Sequence, residues 1–182
     1  MDSLKIIEKY YGPGSKAYEF LVRHGRSVAG KAIEVAERVN HLKPDIGFIE
    51  EASMLHDIGI LYTNSPELGC YGEKVYICHG YLGREILERE GLPLHALICE
   101  RHVGVGLAVK DIEDGNLPLP RREMLPISIE EQIVCFADKF FSKNKDNILE
   151  EKPLSEIREK ISRYGEDKLK RFDEWLVMFG ER

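Results

Sequence analysis

Long apolar runs are missing from this 182-residue chain: the longest is about five residues, Ile133 to Ala137. A membrane-spanning helix needs roughly 20. The first nine residues lack the apolar segment and small-residue cleavage site of a secretory leader. Positive charge is also not in excess, since 26 Lys and Arg stand against 32 Asp and Glu for a net charge of -6. That removes the basic footprint of a duplex nucleic-acid binder. Cysteine is sparse, with Cys70, Cys78, Cys99 and Cys135 showing no C-x-x-C spacing, so a zinc finger, a thioredoxin-type motif and a disulfide framework are excluded. A cytoplasmic protein with reduced thiols and no membrane contact is the expectation. Neither a Gly-x-Ser-x-Gly elbow nor a phosphate-binding Walker loop is present.

What is present is 43% hydrophobic and 32% charged residues, enough apolar content for one packed core. Period-two alternation is scarce and apolar residues recur at helical spacing, so an all-α fold is predicted. Val28, Ala32, Val35 and Val39 form one stripe of a helix over about 16–41, and His24 continues that stripe inward. Lys43-Pro44-Asp45 interrupts it, with Asp45 placed to cap a second helix that runs to Gly59 as its C-cap. On that helix His56 faces the core and Asp57 lies about 100° around. Residues 60–76 read as a long loop, as do 103–127. Between them fall a helix from His79 to about Gly91 and another from Pro93 that carries His102. Ser128-Ile129-Glu130-Glu131 opens a helix containing Asp138. The tail from 142 onward predicts two amphipathic helices divided near Gly165, packed on the core or forming a dimer surface. The division expected is a helical domain over 1–142 and a helical extension over 143–182.

His24, His56, Asp57, His79, His102 and Asp138 are residues of metal-ligand type, at least one on each of several helices. The matching strings are Arg23-His24-Gly25-Arg26, Met54-Leu55-His56-Asp57-Ile58-Gly59 and Phe136-Ala137-Asp138-Lys139. In order, composition and helical placement they resemble the HD-domain superfamily of metal-dependent phosphohydrolases over about residues 20–142. With Cys78-His79-Gly80 and Glu100-Arg101-His102, the chain is similar to the six-ligand binuclear branch and to the HD-type symmetrical diadenosine tetraphosphate hydrolases. The resemblance implies an HD helical bundle in which His24, His56, Asp57 and Asp138 hold one ion while Asp57 bridges to a second held by His79 and His102. Asp57 is then the pivotal catalytic group, and hydroxide between the ions attacks the phosphorus of a phosphate ester or phosphoanhydride. Two departures bear on substrate: Ile60 stands where several binuclear HD hydrolases have lysine, and Gly80-Tyr81 continues with Leu82, which lacks the Gly-Tyr-Pro signature of cyclic di-GMP phosphodiesterases.

Imidazole with carboxylate suits two divalent transition-metal ions: manganese, iron, cobalt, nickel or zinc. A small phosphate substrate, a nucleotide above all, needs cationic contacts, for which Arg26, Arg84, Arg101 and Lys139 are candidates, with Arg121-Arg122 reaching from the second loop. Tyr62, Tyr71 and Tyr76 could stack on a base. His41 and His95 fall outside the pattern and read as solvent-facing or capping residues. The same six-ligand site also occurs in mixed-valent di-iron oxygenases, and a non-catalytic nucleotide-binding module is the third reading.

Overall fold

A computed structural model describes residues 1–142 and 150–181. Residues 143–149, the start of the expected extension, lie outside the described residues. The fold is all-α: α1 (Ser3–Tyr10), α2 (Lys16–Arg38), α3 (Ile46–Leu55), α4 (His79–Arg89), α5 (Pro93–Arg101), α6 (Val109–Asp114), α7 (Ile129–Asp138), α8 (Leu154–Ser162) and α9 (Glu166–Phe179). Among the described residues the only sheet is a two-residue pair, β1 (Asn64–Ser65) against β2 (Cys70–Tyr71), antiparallel with Ser65 opposite Cys70. No helix of the described residues is long and apolar enough to cross a membrane.

Local chemistry sets most helix starts. Asp45 Oδ1 accepts the Phe48 N–H at 2.9 Å and Ser128 Oγ accepts the Glu131 N–H at 3.2 Å, each satisfying a donor that the first turn leaves open. Pro93 occupies the first turn of α5, where its missing N–H costs nothing. Helix α1 turns Leu4, Ile7 and, just past its end, Tyr11 to one face, at i, i+3 and i+7.

Three expectations need correction. Helix α3 ends at Leu55, and the chain then forms a 3-10 turn over Ile58–Tyr62. Gly59 is therefore a contact glycine and no cap: a Cβ there would lie 2.0 Å from His79 O and 2.3 Å from Gly83 N. The supposed loop 60–76 holds the β-hairpin and two further 3-10 turns, and the stretch 103–127 contains α6.

Burial falls into two apolar clusters. One gathers Val28, Ala32 and Val35 of α2 with Ile49, Ile98 and Phe136, and it takes in Ile157, Ile161, Phe172, Trp175 and Phe179 of α8 and α9. Phe172 stacks on Phe136 with ring centroids 5.3 Å apart, and Phe179 meets the same ring edge-on at 5.0 Å. The other gathers Ile7, Tyr11, Phe20, Leu21 and Val22 with Leu55, Ile58, Ile60, Ile86 and Cys99. Helices α2, α3 and α5 contribute to both. His24 thus falls between Val22 of one cluster and Val28 of the other, and His56 follows Leu55 at the same seam.

Because the atoms facing Gly59 are backbone, nothing there can yield to a methyl group. Gly59→Ala should lower unfolding free energy by about 3 kcal/mol or more, read from urea denaturation. Gly12→Ala, where no atom lies within 4 Å, is the control, with a change under about 0.5 kcal/mol.

Candidate metal centre

Six side chains from α2, the α3 end, α4, the α5 end and α7 converge at the seam. His24 is 0% exposed, His56, Asp57 and His102 1%, His79 3% and Asp138 6%. Asp57 lies past the end of α3 with φ -101° and ψ 8°, and not about 100° around a continuing helix from His56 as expected. Its two oxygens face different partners. Oδ2 is 3.5 Å from His24 Nε2 and 3.6 Å from His56 Nε2, while Oδ1 is 3.3 Å from His79 Nε2 and 3.2 Å from His102 Nε2. Asp138 Oδ1 closes the first group at 3.0 Å from His24 Nε2 and 3.5 Å from His56 Nε2.

Three of the imidazoles are aimed by the same device. His56 Nδ1 lies 2.6 Å from Ser53 O, His79 Nδ1 2.7 Å from Tyr76 O, and His102 Nδ1 2.7 Å from Cys99 O, in each case the carbonyl three residues before. A carbonyl only accepts, so each Nδ1 carries a proton and each Nε2 is turned inward. His24 is held differently, stacked on Phe20 with centroids 5.5 Å apart and planes 9° from parallel.

These assignments create a demand. His79 Nε2 and His102 Nε2 are only 3.1 Å apart. Burial pushes the His102 imidazole down to about 3 and lowers that of His24, so both favour the neutral form. Asp57 and Asp138 add buried negative charge, of which Lys139 Nζ answers part at 2.8 Å from Asp138 Oδ2. A divalent cation fits this donor set: His24, His56 and Asp138, and equally His56, Asp57 and His102, each offer donor atoms all within 4.8 Å of one another.

The cationic candidates divide. Lys139 lies at the cluster, its Nζ also donating to His102 O at 3.1 Å. Arg84 donates to Glu100 at 2.6 Å and Glu88 at 2.8 Å, Arg101 binds both oxygens of Glu131 at 2.8 and 2.9 Å, and Arg122 joins Arg84 on the buried Glu100. Arg26 is exposed on α2, two residues past His24 and so about 200° around the helix. Arg121 approaches Glu113 at 3.8 Å. Of the tyrosines, Tyr76 packs against the His79 ring at 4.5 Å and Tyr71 is 78% exposed. His95 is a correction: it is buried, edge-on to Phe48 and 3.3 Å from Glu51 Oε2, because α5 packs on α3 there. His41 is exposed. Sequence reasoning missed the anchoring carbonyls of Ser53, Tyr76 and Cys99, which carry no side-chain signature.

Residues 21–142, two-thirds of the chain, match the HD domain. The chain belongs to the HD-domain family. This is the superfamily of metal-dependent phosphohydrolase type, whose members bind divalent metals, and the buried His/Asp cluster could hold them. Among curated proteins the chain is 32% identical over 143 residues to a tRNA (cytidine(56)-2'-O)-methyltransferase of Thermoplasma volcanium, covering 78% of this chain and 36% of that protein. It is 34% identical over 123 residues to an uncharacterised protein of Methanocaldococcus jannaschii, covering 66% and 65%. A methyltransferase of the same name from Picrophilus torridus is 30% identical over 130 residues, covering 71% and 33%. The HD chain therefore spans about a third of the two methyltransferases it matches. No solved structure matches it.

An unfolded histidine titrates near 6.5, whereas folded His102 stays neutral down to about 3. Between those values the unfolded state holds the extra proton, so stability of the metal-free protein falls as pH drops below about 6.5. From pH 7.5 to pH 5 the His102 contribution is a loss of about 2 kcal/mol, with His24 acting in the same direction. Urea midpoints at the two pH values measure it, and equal midpoints would contradict neutral buried imidazoles.

Proposed function

We propose that this HD protein is a binuclear metal-dependent phosphohydrolase acting on a small phosphate ester or phosphoanhydride, a nucleotide in particular. The observation that carries the reading is the two-sided use of Asp57, whose Oδ2 faces His24 and His56 while Oδ1 faces His79 and His102. In this reading His24, His56, Asp57 and Asp138 would hold one transition-metal ion and Asp57, His79 and His102 the other. When bound, such a pair supplies Lewis acidity toward a phosphoryl oxygen and a nucleophilic water at neutral pH.

The chain's own groups do the rest. The carbonyls of Ser53, Tyr76 and Cys99 keep three imidazoles in the tautomer that offers Nε2. Lys139 orients Asp138 through Oδ2 and is the nearest positive charge to an incoming phosphoryl group. Arg84 and Arg101 are engaged with Glu100 and Glu131, and Arg26 is exposed, so we rank all three below Lys139 as phosphate contacts. Ile60 is 0% exposed in the apolar cluster, which leaves Lys139 to serve where other HD hydrolases have lysine after the His-Asp string. Ligands no more than 6% exposed favour a terminal phosphoryl group over a bulky polymer. Similarity to the diadenosine tetraphosphate hydrolases makes a dinucleoside polyphosphate the first substrate to try. The two methyltransferases are about three times as long as the stretch shared, and a His/Asp cluster is metal-ligand chemistry, so we read that stretch as their HD portion. A cytoplasmic location and a homodimer remain part of the proposal, independent of the site.

Elemental analysis of protein purified without chelator, followed by a phosphatase and phosphodiesterase panel, tests the reading. Two transition-metal ions per chain are expected, both lost in Asp57→Ala and one retained in His79→Ala, with hydrolysis falling at least about 100-fold in either variant. A loaded protein inert on the whole panel would overturn it, and iron-dependent consumption of dioxygen would replace it with the oxygenase reading. Tight nucleotide binding with no turnover would favour the binding module.

A further inference from the structure

The turn after the His56-Asp57 pair has a side chain built into it. Tyr11, at the end of α1, is 3% exposed and lies outside residues 21–142, the stretch that matches the HD domain. Its hydroxyl donates to Ile58 O at 2.6 Å and accepts the Leu61 N–H at 2.7 Å. Those two backbone groups are three residues apart, the spacing that a 3-10 turn joins. Within the same turn the Ile60 N–H donates to Asp57 O at 3.0 Å. The Tyr11 hydroxyl and the Asp57 carbonyl thus bind neighbouring amides of the same turn, Leu61 and Ile60.

The turn is fixed from two sides. On one, Gly59 presses on α4 so closely that a Cβ would meet His79 O and Gly83 N. On the other stands Tyr11, packed with Ile7, Leu21 and Ile58 in the apolar cluster. Burial drives its hydroxyl well above the ordinary tyrosine value, so it stays protonated and keeps donating. Asp57 immediately precedes this turn, and its carboxylate must face two histidine pairs at once, an arrangement that a small rotation of the backbone would spoil.

We propose that Tyr11 is a positioning residue for Asp57, an outer support of the metal site delivered by α1 from beyond the HD match. This rests on the metal-site reading given above. Phenylalanine at position 11 keeps the ring and its packing and removes the hydroxyl that holds Ile58 O and Leu61 N–H.

The test is the affinity of folded Tyr11→Phe for Zn²⁺, measured by competition with a chelator, beside the urea stability of the metal-free variant. Support around a metal ligand is typically worth 10–100-fold in affinity, and at this remove about tenfold weaker zinc binding is expected. A variant that is less stable yet binds zinc as the wild type does would overturn the inference and leave the metal site standing. A wild-type chain that takes up no zinc, manganese, iron, cobalt or nickel would overturn both. Should Tyr11→Phe fail to fold, NMR of the wild type decides: zinc should shift the Leu61 amide and Tyr11 ring signals at the stoichiometry that shifts the ligand histidines. Signals at Tyr11 and Leu61 that stay fixed while the histidines move would overturn it.

Discussion

A carboxylate removed from water has to be surrounded by donors or cations, and Asp57 imposes that requirement at the seam between two apolar clusters. The architecture is arranged around meeting it. Helices α2, α3 and α5 run through both clusters, which lets His24, His56 and His102 reach one point from three directions. The close approach of the 58–62 turn to α4, permitted by Gly59, brings His79 to the far side of the same carboxylate. With α7 adding Asp138 and Lys139, every long element of the HD match contributes to a centre that no single pair of helices could build.

The six clustered residues were singled out through the resemblance of their strings to the HD superfamily, whereas the caps at Asp45 and Ser128 and the proline at 93 behaved as their chemistry dictates. The position of Asp57 was not legible. Helical periodicity assumes that the helix continues, and what ends α3 at Leu55 is a tertiary contact to α4 made some twenty residues later in the chain. The arginines illustrate the same limit: Arg84 and Arg101 are near ligands in sequence and Arg122 was expected to reach in from the second loop, but Glu100 and Glu131, brought beside them by packing, claim their guanidinium groups. His95 looked peripheral for want of any sign that Phe48 and Glu51 would enclose it. Helix α1 went unread although Leu4, Ile7 and Tyr11 share helical spacing, and with it went any view of Tyr11.

The relatives show how loosely such a scaffold is tied to one protein context. Stretches of 123 to 143 residues are shared with an uncharacterised protein of Methanocaldococcus jannaschii and with tRNA methyltransferases, about a third of whose length they cover. A fold with its own core and its own buried polar centre can be carried in longer chains without its chemistry being theirs.

The carbonyl tethers of His56, His79 and His102 have an entropic side. A ring bonded to the carbonyl three residues behind it has surrendered its rotation during folding, before any ion arrives, so coordination does not have to arrest it again. The same rigidity narrows choice. Donors that cannot swing outward to follow a larger ion, or close in on a smaller one, sort cations by size and preferred geometry, and the selection is written into three backbone turns that never touch the ion themselves.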